Sequence, residues 1–234
     1  MCNNNNETKA KEFLLFSYFK IMPQDAYKPE KHGNLEYKKF ISIQCAYRAY
    51  LDLNRTLTVN KKTTDKIRKN HIYGICNQLI NNIYDKLFYI SNDGFDIEHR
   101  NICESLKNQM NNNSELLKSE TSNFSVGQAQ KWLNMTLKYM WLLGLLENKI
   151  KTEYLHVPVD SYIIKAVWKN ENITLPIVKK LKNGSRGAYS SEKVIAWSKW
   201  DYEKYIDFQN SIKEDLGNQS RIEWEHTAWM EFAE

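Results

Sequence analysis

A chain of 234 residues is long enough to bury a sizeable core as one domain or two closely packed subdomains, and only four prolines and eight glycines argue against a loop-rich sandwich. The net charge of +5 is a modest basic excess, compatible with phosphate binding without requiring it. Cys2, Cys45, Cys76 and Cys103 stand far apart with no C-x-x-C, so neither a zinc site nor a four-cysteine iron–sulfur cluster is encoded, and no apolar run reaches the ~20 residues of a membrane span.

A mostly helical, cytoplasmic protein with reduced thiols and no signal peptide is therefore expected. After an Asn-rich start, Phe13, Leu14, Phe16, Tyr18 and Phe19 predict a helix over about 8–22, ended by Pro23. A loop with Lys28, Pro29 and Gly33 follows. Residues 35–57 read as a long helix through Phe40, Ile43, Ala46, Tyr47 and Tyr50, and 64–90 as another through Ile67, Ile72, Ile75, Leu79, Ile83 and Leu87. Arg55, after Asp52-Leu53-Asn54, reads equally as a DNA contact or a helix cap. Asp93-Gly94 marks a turn and 97–110 a shorter helix. The polar stretch 111–122 is a linker, placing one helical subdomain in 1–115 and a second in 116–234.

The segment 126–146 has no proline and more apolar residues than one stripe can hold, which predicts a central helix. At about 100° per residue, Gln130, Lys131, Asn134 and Lys138 share one face within an arc of roughly 100°. Ser125 is the expected N-cap, and the backbone N–H groups of Val126, Gly127 and Gln128 then form an end that accepts an anion, with a glycine that admits a phosphate or another backbone. Pro158 forbids continuation of any preceding helix, and helical patterning resumes at Ser161, so Asp160 sits at a helix start as an N-cap. A cap and a catalytic base make the same demand of an aspartate, namely that backbone N–H groups hold it ionised.

Residues 173–181 read as a short helix or strand. The loop Lys179-Lys180-Leu181-Lys182-Asn183-Gly184-Ser185-Arg186-Gly187 is a solvated turn or a phosphate-backbone contact through Lys180, Lys182 and Arg186. Trp197, Trp200, Tyr202, Tyr205 and Phe208 line a helix over 197–216, and a last helix over 221–232 carries Trp224 and Trp229; such aromatics are core before they are stacking platforms. Glu223, Glu225 and His226 read first as a surface ion-pair set, with a place on a cleft as the alternative. The five histidines show no H-x-x-x-H spacing, and no metal or cofactor is expected.

The strings SVGQAQKWLNMTLKYMW and VPVDSYII together resemble the core of the helix-hairpin-helix DNA glycosylase superfamily, and most closely the archaeal 8-oxoguanine glycosylases. The chain has the single Gly127 where the family hairpin carries two glycines. The resemblance implies an all-α fold of two helical subdomains flanking a central cleft. It implies that Asp160 is the essential aspartate and Lys131, or Lys138 one heptad later, the Schiff-base lysine. The partner is duplex DNA with a flipped, damaged or modified base, bound by a monomer without cofactor in DNA repair or in defence against phage with modified DNA. Gln130 and Asn134 would read the base edge and Trp132 stack on its face, while Ser125, Gly127 and Gln128 join Lys180, Lys182 and Arg186 in binding DNA. The alternatives are a non-catalytic helical nucleic-acid-binding or interaction protein, in which Asp160 only caps a helix, and a metal-dependent nuclease.

Overall fold

Apolar residues spaced three and four apart dictate a stack of helices, and the computed structural model describes the chain over residues 9, 12–13, 15–21, 35–90, 94–118, 123–146, 149–168, 170, 172–176 and 195–232. Among these there is no strand beyond one isolated antiparallel bridge, Val59 to Leu117. The α-helices are α1 (Leu35–Asn54), α2 (Asp65–Asn82), α3 (Phe95–Asn111), α4 (Val126–Leu142), α5 (Ser161–Val167), α6 (Tyr202–Leu216) and α7 (Arg221–Phe232). Within the segment predicted as the first helix, Leu15–Phe19 form a π-helical turn. Another, Ile83–Leu87, extends α2. Among the described residues no helix is long and apolar enough to cross a membrane.

The protein is mostly helical and built around α4, whose residues are buried except Met135, Trp141 and Leu142. Both α1 and α3 pack along α4, and α6 and the Trp197–Lys199 turn cover it further. Trp132 is fully buried, with its indole N–H donating to the Ala46 carbonyl at 2.8 Å and its ring beside Tyr50 and Phe124. A buried tryptophan that has found an acceptor is a core anchor.

Local signals set the helix ends. Ser125 and Gln128 form a reciprocal capping box at the start of α4, which relieves two of the orphan donors there. The helix stops at Leu142, short of the sequence expectation, because Gly144 takes the left-handed conformation at φ 69° and turns the chain. The helix expected over 197–216 is interrupted. Trp197–Lys199 make a 3-10 turn, Trp200 is extended, and the Asp201 side chain accepts from Lys204 N to begin α6 anew. Residues 111–118, the described part of the expected linker after α3, are pinned to the body. Leu116 and Leu117 are buried, and the Asn111 carboxamide pairs with both polar groups of the Phe124 backbone at 2.6 and 3.0 Å.

Candidate active site

Between α4 and α5 the chain runs through residues 155–160 as an extended segment buried along its whole length. Buried backbone without a sheet or helix must find side-chain partners. Here Gln209 of α6 accepts from Val157 N at 3.0 Å and donates to Val157 O at 2.7 Å. Gln130 of α4 makes the same two-sided contact to Val159, both at 3.4 Å, and Asn134 donates to Val157 O at 3.3 Å. Pro158 falls between them, where no donor is needed. The polar groups on this part of α4 are thus clamps on a backbone. Gln130 and Asn134 are 0% and 1% exposed and do not face a pocket, which corrects their expected place against a base edge.

Those clamps deliver Asp160 to the start of α5. Its Oδ1 accepts from Tyr162 N at 2.9 Å and Ile163 N at 3.0 Å, and its Oδ2 accepts from Lys131 Nζ at 2.6 Å. The acid and the amine, separated by 29 positions, meet in a nearly buried ion pair. One heptad along α4, Lys138 Nζ donates to Glu225 Oε2 of α7 at 2.5 Å. Burial pushes the Glu225 carboxyl above the usual carboxylate range, against the pull of Lys138. Glu225 is therefore a buried partner, not part of a surface ion-pair set, whereas Glu223 and His226 are exposed.

Both pairs lie on one groove of two adjoining lobes. A lobe of about 410 Å³ is bounded by Asp52, Arg55, Thr56, Lys131, Asp160 and Trp197. The second, about 650 Å³, shares Asp52, Arg55, Lys131, Asp160 and Tyr162, and adds Lys138, Glu225 and an apolar rim of Leu142, Trp229 and Met230. Its far wall is an ordered polar cluster. Tyr139 OH donates to Asp52 Oδ2 at 2.5 Å, Tyr18 OH lies 2.8 Å from Tyr139 OH, and Arg48 pairs with Asp52 at 2.7 Å beneath the Tyr18 ring. Burial beside Asp52 drives the Tyr139 phenol strongly upward, so it stays a donor at any ordinary pH.

The other predicted contacts fall elsewhere. Trp132 is in the core and cannot stack on a base in the groove. The start of α4 is closed to an anion by the protein itself. Gly127 N donates to Trp200 O at 3.0 Å, and a Cβ on Gly127 would stand 2.1 Å from Trp197 O, so the glycine admits a neighbouring backbone and not a phosphate. Ser125 Oγ donates to Ser198 O at 2.5 Å, and Gln128 Nε2 to Thr56 O at 3.1 Å. Lys180, Lys182 and Arg186 lie outside the described residues, as do Cys2 and His32.

A buried network that periodicity alone did not reveal backs the site. His156 Nε2 lies 2.9 Å from Asp96 Oδ1 and its Nδ1 2.6 Å from Tyr205 OH, while His99 spans Asn134 Oδ1 at 2.8 Å and Tyr202 OH at 3.2 Å. Burial lowers His99 to about 4 and His156 well below its ordinary value, so both rings are neutral at pH 7. The hydrogen bond from His156 holds Asp96 down at about 2. Asn134 links this network to the clamps on the Asp160 segment.

No protein-family model, curated protein or solved structure matches this chain.

Proposed function

We propose that the protein is a DNA N-glycosylase that takes an extruded damaged or modified base into the groove, in DNA repair or in defence against phage with modified DNA. The observation that carries this reading is the 2.6 Å contact of Lys131 with Asp160 at the junction of the two lobes. Two helical subdomains about a cleft, 1–115 and 116–234, belong to the same proposal, with α1 on one side of the groove and α5 and α7 on the other. The larger lobe takes the base against Trp229, and Lys138 and Glu225 offer it a donor and an acceptor.

Asp160, fixed by two backbone N–H groups, stabilises the positive charge that grows on the sugar as the glycosidic bond stretches. Lys131 gives up one proton, which the departing base takes up through the groove, so that Asp160 stays ionised opposite the growing charge, and the freed nitrogen attacks the anomeric carbon. The bond to the base breaks, the bonding pair leaves with the base, and ring opening yields a Schiff base from which elimination cuts the strand. Where water attacks in place of Lys131, the base leaves and the strand stays whole.

The test is incubation in chelator with duplexes carrying a panel of altered bases, followed by alkali and, separately, borohydride. Base release from at least one substrate, lost in Asp160→Asn, is expected, together with a trapped adduct lost in Lys131→Ala. Duplex binding with neither alkali-labile sites nor adducts on any substrate would assign a non-catalytic binding protein instead. Strand cleavage only on addition of a divalent ion would assign a nuclease.

A further inference from the structure

The turn before α2 and the first turns of that helix carry Lys61, Lys62, Lys66, Arg68 and Lys69, with Asp65 the one carboxylate in this run of sequence. Cations at a helix start oppose the positive end of its dipole, so they do not serve the helix. Arg68 is spent internally: its guanidinium donates to Asp65 Oδ1 at 2.8 Å and to the Asn60 and Thr63 carbonyls at 2.9 Å each. The four lysines are exposed, and among the described residues none of their ammonium groups meets a carboxylate or a hydrogen-bond acceptor. Lys69 leans over the Tyr47 and Tyr73 rings, 5.9 and 5.7 Å from their centroids. Of the carboxylates held at this end of the molecule, Asp65 is matched by Arg68, and Glu115 accepts from Thr63 Oγ1 at 2.9 Å.

The turn that presents Lys61 and Lys62 is fixed from both sides. Asn60 N donates to Leu116 O at 3.0 Å, Asn60 Nδ2 donates to Ser114 O at 2.8 Å, and Asn60 Oδ1 accepts from Lys62 N at 3.0 Å. Its backbone is anchored while its ammonium groups stay in water, so a polyanion meets them at low ordering cost. A lysine is a point charge without the planar fork of arginine, and a row of lysines fits a repeating anion better than a single one. Duplex nucleic acid offers one charge per ~1.7 Å of its axis. A membrane surface would need apolar side chains to insert beside the lysines. On α2 that role falls to Ile67 at 44% exposure, since Ile72, Ile75, Leu79 and Ile80 are buried in the core. The face is also continuous with the groove: Thr56 lines the smaller lobe, and the chain from Thr56 to Lys61 spans at most ~18 Å. A duplex seated at the groove is therefore within reach of Lys61 and Lys62.

We infer that Lys61, Lys62, Lys66 and Lys69 form a docking face for the phosphate backbone of duplex nucleic acid, indifferent to base sequence. The inference does not rest on base excision, since a binding protein without a reaction would use the same face.

The experiment follows binding of the whole protein to a labelled duplex of unaltered bases by fluorescence anisotropy, between about 50 and 200 mM sodium chloride. Each phosphate contact contributes a slope of about −0.9 to log K against log salt, so replacing all four lysines by glutamine should flatten the slope by about 3 to 4, and Lys62→Gln by about 1. The Tm of these variants should equal or exceed that of wild type, because the charges removed oppose the α2 dipole. A control combining Lys86→Gln, Lys107→Gln, Lys149→Gln and Lys213→Gln removes the same charge from other elements and should keep the wild-type slope. Equal flattening in the control would overturn the inference, as would an unaltered slope in the variant lacking the four α2 lysines. Absence of duplex binding by wild type would also overturn it, as would binding to phosphatidylserine vesicles in place of the duplex. No altered base is present, so failure of the glycosylase reading leaves these outcomes unchanged.

Discussion

Replacing Asp160 by asparagine separates the two services that this residue performs. The carboxamide oxygen can still accept from Tyr162 N and Ile163 N, since asparagine caps helices as well as aspartate does. The amide nitrogen then faces Lys131 Nζ, leaving two donors opposed where an ion pair stood. Breaking a buried pair by removing one partner costs ~3–5 kcal/mol. Because the pair borders the groove, with side chains 9% and 5% exposed, the lower end applies, about 3 kcal/mol. For a chain of this size that lowers Tm by roughly 6–12 °C. Lys131→Met leaves a carboxylate still served by two N–H groups and should cost less, and adding it to Asp160→Asn should restore part of the loss. Urea denaturation of wild type, both single variants and the double variant measures the coupling, expected at about 2 kcal/mol. A coupling below ~0.5 kcal/mol would refute the claim that the two groups are desolvated together.

Acid should weaken the fold before any carboxylate does. The folded-state value of His99 is depressed to about 4 against 6.5 in the unfolded chain, so its contribution is complete above pH 6.5 and lost as pH falls toward 4; His156 acts in the same direction. From His99 alone the unfolding free energy should drop by about 2 kcal/mol between pH 7.5 and pH 5, and equal urea midpoints at the two pH values would contradict the buried neutral pair. Asp96, held at about 2, gives stability that is present above pH 3.8 and lost only as pH falls through about 2, outside this window. Gly127→Ala should destabilise by about 2 kcal/mol or more, because its Cβ meets the Trp197 carbonyl; a loss under ~0.5 kcal/mol would show that the 197–200 segment is not seated on α4.

What could be read from the sequence was what neighbouring residues decide. The Ser125 cap, the single-sided placement of Gln130, Lys131, Asn134 and Lys138, and the Asp160 cap after Pro158 all follow from spacings of a few residues, and each is present. What those polar groups touch was not legible. A carboxamide offers the same donor and acceptor to a backbone as to a base, so nothing local told Gln130 and Asn134 that residues 157–159 would lie against them. Gly127 admitted a backbone or a phosphate with equal ease, and only the return of the chain at Trp197 decided for the backbone. Glu225 was legible as charged, but its burial depends on α7 crossing to Lys138, 87 positions away.

The central position of α4 has a consequence for how the protein is made. Its sheath is assembled from both directions of the chain: α1 and α3 precede it, whereas the 155–160 segment, the Trp197–Lys199 turn, α6 and α7 follow. At ~5–20 residues per second, a ribosome that has just finished α4 needs roughly 5–18 s more to deliver residues 143–232. Throughout that interval a rod bearing Trp132, Leu133, Leu137 and Met140 beside two unpaired lysines waits half-clad, and nascent chains are most exposed to misassociation then.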